Sequence, residues 1–179
     1  FISNYLSYFF TEIYEPITTS IVANTSSIPG VSFNIIHAKN TPKTGWERDI
    51  IVSVDIGGTN FETGILNRRC LSIVGISPKC HIRNYTDSES LFNGICLQIT
   101  DLLDKHKVSD TRIYGISVAC PGPLDIEKGI ILNTLNLKLF RNYPLRGKLK
   151  ERFNCKISIE NDANLFALGE WFLTHKEEN

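Results

Sequence analysis

The feature that most limits the fold is residues 50–66, "IIVSVDIGGTNFETGIL". Residues 50–56 form a continuous apolar run broken only by Ser53 and Asp55. Such a run predicts a strand buried on both faces. Residues 61–66 predict a second strand and residues 70–77 a third, with Asn67-Arg68-Arg69 as the turn between them. Between the first two strands stands Asp55-x-Gly57-Gly58-Thr59-Asn60. Two adjacent glycines open backbone conformations closed to other residues. They also let backbone N–H groups approach an anion with no Cβ in the way, and Thr59 adds a hydroxyl donor. Asp55, at the strand end, suits a metal ion or a metal-bound water. A plain hairpin explains the same residues, since Gly-Gly makes a good two-residue turn. Both readings stand at this point. A Walker A loop does not, because no Lys-Ser/Thr follows the glycines.

Beyond the third strand the pattern alternates. Thr86-x-x-Glu89 resembles a capping box, and Phe92, Ile95, Ile99, Leu102 and Leu103 follow at helical spacing to about Lys107. Residues 113–119 predict another buried strand and 129–132 a short one. Leu145, Leu149 and Phe153 suggest a short helix. Residues 156–160 predict a strand, and a helix is expected from Asp162 to about Leu173. Three strands on tight turns, then strands alternating with helices, predict an α/β fold with a mixed five-stranded sheet flanked by helices, of the type β-β-β-α-β-α-β-α.

Residues 1–49 read as an extension, with a packed helix over 1–17 and a connection over 18–49 that holds a candidate short strand at 31–36. The aromatic start, with Phe1, Tyr5, Tyr8, Phe9 and Phe10, would suit a subunit contact in a homo-oligomer. It is too short to span a bilayer, lacks the basic start of a signal peptide, and has no Lys or Arg for a membrane surface.

Charge and cysteine usage narrow the classes further. Lys plus Arg equals Asp plus Glu, 19 each, with no basic run, so nucleic acid is not an expected partner. The five cysteines show no C-x-x-C spacing and are odd in number. That argues against a disulfide scaffold or zinc knuckle and favours a reducing cytoplasm. The four histidines, His37, His81, His106 and His175, are isolated in sequence and read as structural.

Two further segments carry chemistry. Cys120-Pro121-Gly122-Pro123-Leu124-Asp125 fixes a rigid turn after a buried strand, where α/β sheets present ligand loops. Glu160-Asn161-Asp162-Ala163-Asn164 ends one strand and opens a helix. An Asp or Asn there is commonly an N-cap. A carboxylate beside an amide also suits gripping a sugar hydroxyl and taking its proton.

Taken in order, the three segments resemble the ROK family of repressors, open reading frames and sugar kinases, within the actin/hexokinase/Hsp70 superfamily. Residues 129–137, "GIILNTLNL", and 143–171, "YPLRGKLKERFNCKISIENDANLFALGEW", extend the resemblance to roughly 50–171. It implies a ribonuclease H-like (actin-like ATPase) lobe that works with ATP and Mg²⁺ on a hexose or N-acetylhexosamine. Asp162 matches the catalytic base. Asn161 matches a sugar-binding amide and Gly122 a backbone position near the sugar. Asn133 and Asn136 fall in a segment used near the sugar. Asp55, Gly57, Gly58, Thr59 and Asn60 match the first phosphate loop, with Asp55 toward the metal. Glu170 matches a structural helix acid.

The resemblance also implies a second lobe. Its Gly/Thr-rich loop, Glu-x-Gly-His motif and cysteine zinc site have no match here. The chain is therefore expected to be the N-terminal lobe over 50–179, weakly active or inactive alone. A winged helix-turn-helix, which begins the family's repressors, has no match in residues 1–49 either. A sugar-sensing regulator or silent sugar-binding protein remains the alternative to a kinase.

Overall fold

The computed structural model describes residues 48–69 and 72–167. The expected helix at 1–17, the strand at 31–36 and the far part of the last helix lie outside the described residues.

The first buried run is the middle of the sheet. β1 (Ile50–Ile56) pairs antiparallel with β2 (Asn60–Asn67) on one side and parallel with β5 (Ile113–Cys120) on the other. β3 (Ser72–Ile76) extends the antiparallel side, and β8 (Lys156–Asn161) extends the parallel side. The order is β3-β2-β1-β5-β8. This is the mixed five-stranded path the pattern predicts. A sixth strand, β4 (Cys80–His81), adds to it by pairing with β2 at Asn60 and Phe61. Two residues of strand leave no sequence pattern, so β4 went unforeseen.

Alternation along β1 sorts its side chains. Ile50, Val52, Val54 and Ile56 belong to the main core with Phe61, Ile65, Ile116, Val118 and Ile159. α1 (Ser88–Lys105) covers that core with Leu91, Phe92, Ile95, Ile99, Leu102 and Leu103. α2 (Leu145–Phe153) adds Leu145, Leu149 and Phe153.

Several boundaries differ from the sequence reading. The capping box of α1 is one residue later than expected: Ser90 N–H donates to Asp87 Oδ1 at 2.8 Å, and Asp87 N–H donates to Ser90 Oγ at 3.1 Å. Aspartate competes well for an N-cap, and a serine hydroxyl closes the box as glutamate would. Thr86 instead donates its hydroxyl to Asp87 Oδ2. α1 ends at Lys105, and Lys107 turns the chain away with a left-handed φ of 54°. The short strand expected at 129–132 is β7 (Ile130–Ile131), half of a small hairpin with β6 (Leu124–Asp125). Gly129 makes that turn with a φ of 68°.

Candidate functional site

The site grows from the ends of β1, β5 and β8. Across the sheet, Asp55 is paired in register with Glu62 on β2 and Ala119 on β5, and Ala119 with Glu160 on β8. Residues in one register row project from the same face. Three carboxylates therefore stand in a row, separated only by a methyl group. One step back in the same face stand Ser53, Ser117 and Ser158, all buried.

The glycine loop begins one residue after Asp55. Gly57 N–H donates to the Asn60 carbonyl at 2.8 Å, so the loop is a hairpin turn in form. Ile82 N–H donates to the Thr59 carbonyl at 2.8 Å and fixes the far side of the turn. Neither glycine uses the conformational freedom the sequence suggested. Among the described residues only Gly129 is a glycine in the left-handed region. Gly58 is required for space instead. A Cβ there would lie 2.9 Å from the Asn136 carbonyl oxygen and 3.0 Å from Asn136 Cβ. A methyl group so placed forces one backbone segment off the other. Asn60 Oδ1 is buried beside this turn and has no hydrogen-bond partner among the described residues.

On the other side, β8 runs into a helix that is described over residues 162–167. Asn161 caps it: its Oδ1 accepts from Ala163 N–H at 3.0 Å and from Asn164 N–H at 3.4 Å. Asp162 Oδ1 also accepts from Ala163 N–H, at 2.9 Å. Glu160 Oε1 accepts from Asn161 N–H at 2.7 Å and from Asn164 Nδ2 at 3.1 Å, which locks the corner from below. The structural reading of this segment is met, and it leaves room for the chemical one. Asn161 is the cap, and the cap orients the acid that follows.

A cleft of about 610 Å³ opens between these two corners. Asp55, Gly57, Gly58, Thr59, Asn60 and Asp162 all line it. Gly122 and Asn161 meet beside it, where a Cβ on Gly122 would lie 3.2 Å from Asn161 Nδ2. Asn136 borders the loop through its backbone, and Asn133 is exposed and does not line the cleft. The carboxylates leave a mark on a neighbour. Burial first, and then the charges of Asp162, Glu160 and Asp55, together push the Cys120 thiol up to about 12. A thiol held so high is an inert core group at neutral pH, not a nucleophile.

Six lining residues were not picked from the sequence as site residues: Phe61, Glu62, Lys79, Ala163, Leu165 and Phe166. Glu62 enters through register alone, because the turn that pairs Ile56 with Phe61 pairs Asp55 with Glu62. Lys79 and Phe166 carry no local signal. Among the described residues that line the cleft, the charged groups are Asp55, Glu62, Asp162 and Lys79. No described helix is long and apolar enough to cross a membrane.

Residues 51–179 match the family model described as "ROK family". The chain is 34% identical over 124 residues to a glucokinase of Halalkalibacterium halodurans, covering 66% of this chain and 35% of that protein. It is 37% identical over 87 residues to a xylose repressor of Caldicellulosiruptor bescii, covering 48% of this chain and 22% of the repressor. The fold is similar to the crystal structure of a ROK hexokinase from Thermus thermophilus. The TM-score is 0.55 and identity 23%, over 64% of this chain and 36% of that one. The chain spans about a third or less of the curated relatives it matches.

Proposed function

The chain belongs to the ROK family, and on that premise we propose that the full-length protein is an ATP-dependent kinase of a hexose or N-acetylhexosamine, with this chain supplying the catalytic base. One observation carries the reading. The glycine loop with Asp55, and Asp162 from the start of the helix that follows β8, line the same cleft although they lie far apart in the chain.

The residues present fit magnesium-bound ATP. Asp55 is a hard oxygen ligand of the kind Mg²⁺ prefers. Asn60 Oδ1, a buried acceptor without a donor, suits a metal-bound water. Gly57 and Gly58 add no side chains to the loop, so its backbone N–H groups can approach an anion. Gly57, Gly58 and Thr59 would hold the phosphates. Magnesium-bound ATP supplies the transferable phosphoryl group and the cation that spreads its charge.

The chain's own residues then do the rest. Asp162 Oδ1 is engaged by the Ala163 N–H, so Oδ2 is the oxygen that takes the proton from the attacking sugar hydroxyl. Asn161 Oδ1 is engaged as the helix cap, so its Nδ2 is the group left to donate to a sugar oxygen. That nitrogen faces Gly122, which places the Pro-Gly-Pro turn at the sugar side. Positioning of this sort accounts for much of a kinase's rate. A second lobe closing over the cleft would exclude water and complete both binding sites. The protein would work in the cytoplasm, where ATP and sugars are at hand.

The experiment is an assay of the full-length protein with Mg·ATP and a panel of hexoses and N-acetylhexosamines. Sugar-dependent ADP release is expected, falling by roughly three orders of magnitude in kcat in Asp162→Asn while sugar binding survives. Near-normal turnover by that variant would show that the base is another group. Likeness to a xylose repressor favours a second reading, a sugar-sensing regulator. Sugar binding without ADP release for any member of the panel would establish it over the kinase.

A further inference from the structure

The three carboxylates of the cleft raise an electrostatic problem. Asp55, Glu62 and Asp162 line the space that, on the reading above, receives a triphosphate. A polyanion entering among carboxylates is repelled unless cations are already placed there. The loop itself brings none, because Gly57-Gly58-Thr59-Asn60 is followed by Phe61 and Glu62 rather than by a lysine. Magnesium offsets part of the charge. Among the described lining residues, Lys79 is the cation that the protein adds.

Lys79 is held at the site by bonds on both sides of it. Before it, Ser77 N–H donates to the Thr63 carbonyl at 2.8 Å, and Thr63 N–H donates to Ser77 Oγ at 2.9 Å. Gln98 Nε2, from α1, donates to the Pro78 carbonyl at 3.0 Å, and Gln98 Oε1 accepts from Thr63 Oγ1 at 2.8 Å. After it, Cys80 and His81 form β4, in register with Phe61 and Asn60. The backbone at residue 79 is therefore fixed against the start of β2, directly beside the glycine loop. Its side chain is exposed and lines the cleft, within which a long flexible ammonium can turn toward a bound anion. Two residues of pairing add little stability, but they register the lysine against the loop.

We propose that Lys79 is a phosphate-binding residue of this site, contacting the terminal phosphates of a magnesium-bound nucleoside triphosphate. This rests on the reading of the cleft as a nucleotide site, and deepens it by naming the cation that the loop lacks. The ligand chemistry it selects is the polyphosphate, not the nucleoside.

The test is equilibrium binding to the full-length protein, by calorimetry, with three probes: Mg·ATP, magnesium-bound inorganic triphosphate, and adenosine. Lys79→Ala should weaken Mg·ATP and inorganic triphosphate about tenfold each and leave adenosine unchanged, with a shallower salt dependence of ATP binding. Lys79→Arg should recover most of the loss. Because Lys79 is exposed, thermal midpoints should not move, which separates the effect from misfolding. Unchanged triphosphate affinity in Lys79→Ala, an equal loss for adenosine, or no triphosphate binding by the unaltered protein would each overturn the proposal. Lys79-dependent triphosphate binding without phosphoryl transfer to any sugar would leave the proposal standing and remove the kinase reading instead.

Discussion

The two ends of the central strand treat their carboxylates in opposite ways. Asp49, just before β1, is buried and gripped by the Arg112 guanidinium, with Nε at 2.9 Å from Oδ1 and a second nitrogen at 2.8 Å from Oδ2. Asp55, near the other end, shares its cleft with Glu62 and Asp162. One end neutralises its charge in a forked pair, which is how a fold secures a buried acid. At the other end three carboxylates line one open volume, an arrangement that would suit the proposed site for cations. The two acids thus stand six residues apart, toward opposite ends of one strand, and the contrast can be tested from either side.

The largest structural effect is expected at Gly58. Gly58→Ala puts a methyl group 2.9 Å from the Asn136 carbonyl oxygen, a backbone atom that cannot swing aside as the end of a side chain can. Relief of that contact should cost about 1–3 kcal/mol and distort the loop. Denaturant unfolding and Mg·ATP titration should both register it. A variant with unaltered stability and affinity would show that the approach of the 132–136 segment is dispensable.

A smaller effect is expected at the opposite end. Arg112→Ala strips the fork from a buried carboxylate, but the Arg112 side chain is 41% exposed and solvent screens the loss. About 1 kcal/mol is expected at pH 7. The sign with pH follows from the pair. Hydrogen bonds from Arg112 hold the Asp49 carboxyl below its ordinary value. Its stabilisation is therefore complete above about pH 4 and lost as the pH falls through the lowered value. The stability gap between the two proteins should close in acid. A gap that stays constant down to pH 2 would assign the loss to packing of the arginine stem.

The smallest stability effect is expected from Asp55→Asn. The amide keeps the shape of the carboxylate, so stability should stay within about 0.5 kcal/mol. Magnesium dependence of nucleotide binding should weaken at the same time. A large drop in melting temperature would mean that Asp55 is structural, as Asp49 is.

Much of this arrangement was legible in the sequence because it rests on short-range rules. The apolar run at 50–56 predicted the central strand, and helical spacing from Phe92 to Leu103 predicted its cover. The residues lining the cleft from the loop and from β8 came from polar groups at strand ends, read together with a family resemblance. What stayed hidden depends on register and on contacts between distant segments. Glu62 is a site residue only through its pairing with Asp55. Lys79 reaches the loop only because a two-residue strand and a glutamine from α1 hold its neighbours. Gly58 looked like a residue chosen for its dihedral angles, yet its role is clearance from a segment far along the chain. Local propensity carries no record of any of these.

The most direct test of the account compares Asp162→Asn with Arg112→Ala in the full-length protein, measuring melting temperature and sugar-dependent kcat for both. The predicted pattern is crossed. Asp162→Asn keeps its melting temperature, since Asp162 is exposed and Asn161 still caps the helix, but loses roughly three orders of magnitude in kcat. Arg112→Ala melts earlier, yet turns over normally while folded. Loss of stability without loss of turnover in Asp162→Asn would contradict the division of the strand into a structural and a chemical end.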